Sequence, residues 1–291
     1  MRLRIALAAA FLSAACLAAA QVEKSAEPPA ETPPLQNTGK PMVVDYHCGE
    51  EDIRSSGLTC TIEDPCPVFL ELASVEAVGN RIFAAGNIHS SSTTLASVLL
   101  GSDDAGKTWR EPHPRVRFAG LDRIQFVDFE NGWAGGEVQH PLPHDPFLLA
   151  TTDGGKTWQT RPIFADPQFG TIVDFRFSSR TNGHLTIYRG RATESGQYEL
   201  YETPNAGETW MLRQSSERFS ELMRDKLNPD WRVRADAASK SYRVERRAGE
   251  GWRSIAAFSV SIGVCKPPEL PLPPLTPAVE AVPAAPQGLA P

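Results

Sequence analysis

Ser102-Asp103-Asp104-Ala105-Gly106-Lys107-Thr108-Trp109 is written again, with small changes, at Thr151-Thr152-Asp153-Gly154-Gly155-Lys156-Thr157-Trp158 and at Thr203-Pro204-Asn205-Ala206-Gly207-Glu208-Thr209-Trp210. The octapeptide has a hydroxyl residue first, Asp or Asn third, Gly fifth, Thr seventh and Trp eighth. Short Ser, Thr, Asp and Asn side chains accept hydrogen bonds from nearby backbone amides and so close tight turns. Gly106, Gly155 and Gly207 suit a backbone with φ > 0. The closing Trp109, Trp158 and Trp210 are large enough to pack between neighbouring units, each N–H seeking an acceptor. The octapeptide is a turn.

Its spacing sets the architecture. Asp104, Asp153 and Asn205 lie 49 and 52 residues apart, a period that means stacked supersecondary units. Asn131-Gly132 and Asn182-Gly183, and the permuted Gly79-Asn80, mark a hairpin turn whose Asn lies 22 to 24 residues before the third position of each octapeptide. Strand-like runs flank both turns, as at 68–72, 124–129 and 172–177. Each unit therefore reads as a four-stranded meander, and the chain as an all-β, small β-propeller. A fourth unit is decayed. Asn228-Pro229-Asp230-Trp231 takes the place of the first turn, and Arg247-Ala248-Gly249-Glu250-Gly251-Trp252 keeps only the Gly and Trp of the second. Four units, or a fifth blade assembled from both ends, fit between 42 and 266.

The octapeptides resemble the Asp-box, or bacterial neuraminidase repeat, of sialidase-like and sortilin-like propellers. With Asn131-Gly132-Trp133-Ala134-Gly135-Gly136 upstream, the second unit is most similar to the photosystem II assembly and stability factor group. The resemblance spans about 68 to 252. It implies the fold, and by analogy a protein-binding or assembly role. The turn motif itself is poor evidence of activity, because such folds host many functions.

The ends point to export. Arg2 and Arg4 precede an apolar run from Ile5 to Ala15, with small residues before Gln21. That reads as a signal peptide over 1–20, cleaved near Ala20/Gln21, and too short for a membrane span. Acylation of Cys16 as a lipid anchor is the alternative, although Ser13 stands where such sites usually carry Leu. Residues 21–41 read as an unfolded linker and 267–291 as a Pro/Ala-rich unfolded tail. A secreted or periplasmic chain with four further cysteines, Cys48, Cys60, Cys66 and Cys265, implies two disulfides. Cys265 then pairs with one of the other three and staples the ends of the repeat array together.

Charge and motifs exclude several classes. The chain carries a net −6, and −8 without residues 1–20. It has no basic run, which argues against nucleic acid. A sialidase needs an arginine cluster and a Tyr/Glu pair that the sequence does not announce. Asp122, Asp128, Glu137 and Asp174 are candidate carboxylates for another glycosidase, but Asp128 and Asp174 read as matching positions of two repeats, and hence as structural. His140 and His144 flank a proline-stiffened loop that reads as solvated rather than metal-binding. No catalytic residue, metal site or cofactor is assigned. The partner read from sequence is an envelope protein or a glycan, with a non-enzymatic binding module set against a glycoside hydrolase or lectin.

Overall fold

The computed structural model describes residues 33–190, 197–219 and 228–268. In chain order, β1 (Leu35–Gln36) and helix α1 (Glu50–Ser56) precede the first repeat: β2 (Cys66–Val78), β3 (Arg81–His89), β4 (Thr94–Ser102) and β5 (Thr108–Trp109). The second holds β6 (Ala119–Phe126), β7 (Gly132–Val138), β8 (His144–Thr151) and β9 (Gln159–Pro162). The third holds β10 (Thr171–Phe177), β11 (Gly183–Tyr188), β12 (Tyr198–Thr203) and β13 (Met211–Ser216). Last come β14 (Trp231–Asp236), β15 (Ser241–Ala248), β16 (Gly251–Ser259) and β17 (Ser261–Cys265). β6 to β9 and β10 to β13 are antiparallel meanders, β14–β15–β16 is three-stranded, and the first sheet runs β17–β2–β3–β4. The chain is an all-β propeller whose fourth sheet packs on the first, the first on the second, and the second on the third.

Each octapeptide joins the third and fourth strands of its repeat. Gly106, Gly155 and Gly207 donate their amides to the first-position hydroxyls of Ser102, Thr151 and Thr203 at 2.8, 2.9 and 2.9 Å. Asp104 accepts from the Lys107 and Thr108 amides and the Thr108 hydroxyl, and Asp153 from the equivalent groups of Lys156 and Thr157. Asn205 accepts from the Thr209 amide. The glycines have φ of 88°, 83° and 86°. At the fourth position, the amides of Ala105, Gly154 and Ala206 reach the carbonyls of Asn80, Glu130 and Thr181. Both turns of a sheet are thereby tied at one end.

That end also grips the preceding sheet. Arg81 donates to the Gly154 carbonyl at 2.7 Å and Trp133 Nε1 to the Ala206 carbonyl at 3.0 Å, while Asn37 bridges the Gly106 and Ile255 carbonyls. A Cβ on Gly155 would collide with the Phe83 ring, so glycine there serves close packing as well as φ. Trp109 and Trp158 donate back to Gly106 and Gly155 of their own turns. The third differs: Trp210 Nε1 is buried with no hydrogen-bond partner among the described residues.

Burial pushes the Asp153 carboxyl up, but its hydrogen bonds outweigh that and hold it at about 2. A depressed folded pKa gives stability that is present above the ordinary carboxylate range and lost as pH falls through about 2. Asp153→Ala is expected to cost about 1–2 kcal/mol. Urea titrations at neutral pH check it, and the difference from wild type should shrink in acid.

The decayed fourth unit keeps the same logic, with the Arg247 amide bonded to the Asp230 carbonyl. Beyond it, β17 crosses to pair with β2, Cys265 opposite Cys66. Cys48 is bonded to Cys265 and Cys60 to Cys66. One expectation needs correction. Residues 35–41, read as linker, are held in place: β1 pairs with β5, and Met42 bridges in parallel to Phe258. Leu35 and Met42 supply apolar surface to the first core, which composition averaged over 21–41 conceals. The leader with Cys16, and the tail beyond Pro268, lie outside the described residues.

Candidate functional site

The opposite end of the sheets carries the loops between β3 and β4 and between β7 and β8, and the starts of β6 and β10. The inner strands β2, β6 and β10 each slip register by one residue, at Ala73, Asp122 and Val173. Such bulges re-aim side chains and often border functional sites. In the second repeat the bulged residue is a carboxylate. Asp122 opens into a cleft of about 470 Å³ between the first two sheets, walled by Glu71, Asn87, Thr94, Gln139 and His140 and by the Ser90–Thr93 turn.

The cleft is polar and its walls are cross-braced. Thr94 donates its hydroxyl to Gln139 Oε1 at 2.6 Å, and His140 Nδ1 lies 3.3 Å from the Thr93 hydroxyl. Asn87 reaches Glu71 at 3.5 Å. Crowding by surrounding atoms raises the Asp122 carboxyl, and the nearby Glu71 charge adds to it. Behind it Glu137 is only 2% exposed. Burial, then the charge of Asp122, push its carboxyl up to about 7, against hydrogen bonds from the Ile172 amide and Gln139.

The four sequence candidates separate. Asp122 lines the cleft, and Glu137 is buried behind it, bonded to the Ile172 amide and near enough to feel the Asp122 charge. Asp174 matches Arg123 of the preceding repeat once the bulges are aligned, and is ion-paired with it. Asp128 matches Ser179, so the expected equivalence of Asp128 and Asp174 is wrong by several residues. Both repeats slip at the same place, and the false match comes instead from the triplet Val-Asp-Phe, which stands at 127–129 and 173–175 at different distances from the Asn-Gly turns. Asp128 closes the hairpin turn, accepting from the Glu130 and Asn131 amides, and Ser179 accepts from Asn182 in the same way. Asp128 is also bonded to Arg180, and these bonds overcome burial to keep its carboxyl far below the usual range.

Glu71, Asn87 and Gln139 had no signal in the sequence. A tyrosine–glutamate pair was also hidden: Tyr201 donates to Glu199 at 2.7 Å beside Arg189. Burial, then the Glu199 bond, push the phenol up to about 12, which suits a braced core group rather than a nucleophile. His140 lines the cleft while His144 donates to the Leu142 carbonyl, and among the described residues no three ligating side chains form a metal-sized cluster. At this same end Leu142 and Phe169 stand 59% and 67% exposed, their loops joined by the Gly170 amide on the Pro143 carbonyl.

No protein-family profile and no curated protein matches the chain. Solved structures resemble it at low identity. YCF48 bound to a D1 peptide is 16% identical over 65% of this chain, with a TM-score of 0.37. The chain spans 56% of that protein's length. An α-L-arabinanase from Penicillium chrysogenum complexed with arabinobiose is 14% identical over 76% of this chain and 65% of its own, with a TM-score of 0.35. A GH74 xyloglucanase from Xanthomonas campestris is 18% identical over 46% of this chain and 18% of its own, with a TM-score of 0.34. No helix among the described residues is long and apolar enough to cross a membrane.

Proposed function

We propose that the chain is an exported, non-enzymatic propeller that binds an extended protein segment across the end bearing the cleft. The observation that carries this reading is the pairing, on one loop, of two kinds of surface. His140 and Pro141 line a cleft rich in amide, hydroxyl and carboxylate groups, and Leu142 two residues on is exposed beside Phe169. Polar groups of this sort satisfy a peptide backbone, Glu71 and Asp122 suit a Lys or Arg side chain, and an exposed apolar pair offers an anchor. The partner segment is therefore basic with a neighbouring apolar residue.

Selection from a random peptide library tests this. Enriched peptides should carry Lys or Arg next to an apolar side chain, and Asp122→Asn or Phe169→Ser should weaken them about ten-fold or more. Binding should strengthen as pH rises through about 7, where Glu137 ionises, and Glu137→Gln should flatten that dependence. The same variant carries a stability signature. A raised folded pKa means stability that is complete below the ordinary 4.5 and lost as pH rises through about 7. Glu137→Gln should therefore melt above wild type at pH 8 and no higher than wild type in acid. Enriched peptides without basic residues, or unaffected by these variants, would refute the reading.

A glycoside hydrolase is the second reading, favoured by one observation: Glu71 and Asp122 share the cleft, and Asp122 has the raised pKa of a general acid. Among the described residues no Trp, Tyr or Phe lines the cleft to stack on a sugar ring. Turnover of chromogenic glycosides that disappears in Asp122→Asn would establish the enzyme instead.

A further inference from the structure

The sequence has no basic run, yet the fold assembles one. Asn228 to Ser259 hold seven basic and four acidic residues in a chain of net −6. Strand pairing puts Arg232 opposite Glu245, Arg234 opposite Arg243, and Arg247 opposite Trp252. Opposed residues share a face, so Arg232, Arg234, Arg243 and Arg247 stand together on one side of β14–β15–β16. Val233, Val244 and Ala256 point the other way, into the core shared with the first sheet. The arginine face is turned away from that core.

Its arginines are braced rather than loose. The Arg232 guanidinium lies 4.1 Å and that of Arg247 5.3 Å from the Trp252 ring centre. Arg232 also bonds Glu245, Arg243 is paired with Asp236, and Arg247 lies 3.5 Å from Asp230, which leaves Arg234 as the member of the four with no ion pair of its own among the described residues. Arg234 directly across from Arg243 is a like-charge pair that costs a sheet stability, offset in part by the Asp236 carboxylate, which lies near both. Among the described residues, β14, β15 and β16 expose no large apolar side chain.

We infer that this face is a second binding surface and that its occupant is an anionic polysaccharide, held through its carboxylates by guanidinium forks. Planar, rigidly held guanidinium groups make bidentate bonds to carboxylates that lysine cannot reproduce. A protein partner would want an apolar centre, which this face lacks. Single-stranded nucleic acid would want bare aromatic faces for its bases, and here guanidinium groups lie against the Trp252 ring. A solvated polyanion needs neither.

The test is titration of fluorescent oligogalacturonate into the disulfide-intact protein at low and at physiological salt. Binding should appear at low salt and weaken as salt rises. Arg234→Ala with Arg247→Ala should lose about ten-fold or more in affinity with an unchanged melting temperature. The corresponding double Lys variant, which keeps charge but not the fork, should fall between. Should the double Ala variant melt early, Ser254→Asp, which sets a further negative charge on this face beside Glu245, should weaken binding in its place. Absence of binding at low salt overturns the inference. So does affinity indifferent to all these variants, or tighter binding of polyglutamate or of a single-stranded oligonucleotide than of oligogalacturonate.

Discussion

Replacing Cys48 and Cys265 with serine is expected to destabilise the protein by about 5 kcal/mol in the chain-entropy account, against about 2 kcal/mol for replacing Cys60 and Cys66. The difference comes from loop length. The first bond closes a separation of 217 residues and the second one of 6. An unfolded chain is restricted far more by the long closure. The long bond also has a local task. Cys265 ends β17, whose pairing with β2 brings the end of the repeat array back to its beginning. Without the bond that pairing is a short edge interaction at a chain terminus, where fraying starts. Limited proteolysis should therefore cut the Cys48/Cys265 variant first near β17 and only later within the second and third sheets. Chemical denaturation of the two double variants measures the energies. Equal losses, or first cleavage in β6 to β13, would show that the seam does not hold the ring.

What could be read from the sequence follows from the range of the interactions. Every bond inside an octapeptide joins residues two to four apart, such as Thr108 to Asp104 and Gly155 to Thr151. The turn, the period and the blade order were therefore legible. So was the need for Cys265 to find a cysteine from the N-terminal side, though not which one. The cleft was not legible, because it depends on a slip of register. Nothing in the residues around Asp122 announces that β6 bulges there while β2 bulges at Ala73. Without that knowledge Glu71 looks like an ordinary surface residue of a strand, while the shared triplet Val-Asp-Phe makes Asp128 and Asp174 look equivalent. The arginine face was hidden for a related reason. Its members alternate with other residues in sequence and meet only through pairing of β14 with β15. Trp210 shows the converse: a motif can be intact to the last letter and still leave its N–H unmatched.

Gly136→Ala is expected to cost about 3 kcal/mol or more and to disable the cleft at the same time. Gly136 in β7 faces Leu121 in β6, immediately before the bulge at Asp122. A Cβ there would fall well inside 3.0 Å of the Gly120 carbonyl oxygen, a backbone atom that cannot rotate away. Gly86 stands in the same relation to the Glu71 carbonyl in the first repeat. In the third repeat Ile187 fills the matching place, and the room is made from the other strand, where Gly170 at φ 152° leaves space for the Ile187 side chain. The first two repeats thus share one close approach beside the bulge, and the third replaces it with a contact between Gly170 and the Ile187 side chain. Overpacking of this kind typically costs 1–3 kcal/mol, and more where backbone must move. Gly251→Ala is the matched control, since its Cβ would meet nothing closer than 3.9 Å, and should stay within about 0.5 kcal/mol of wild type. Urea denaturation separates the two. Because moving the Gly120 carbonyl re-aims Asp122, Gly136→Ala should also lose peptide binding under conditions where it remains folded. A Gly136→Ala protein as stable as Gly251→Ala would mean that the bulge relaxes freely, and the cleft could then not owe its shape to it.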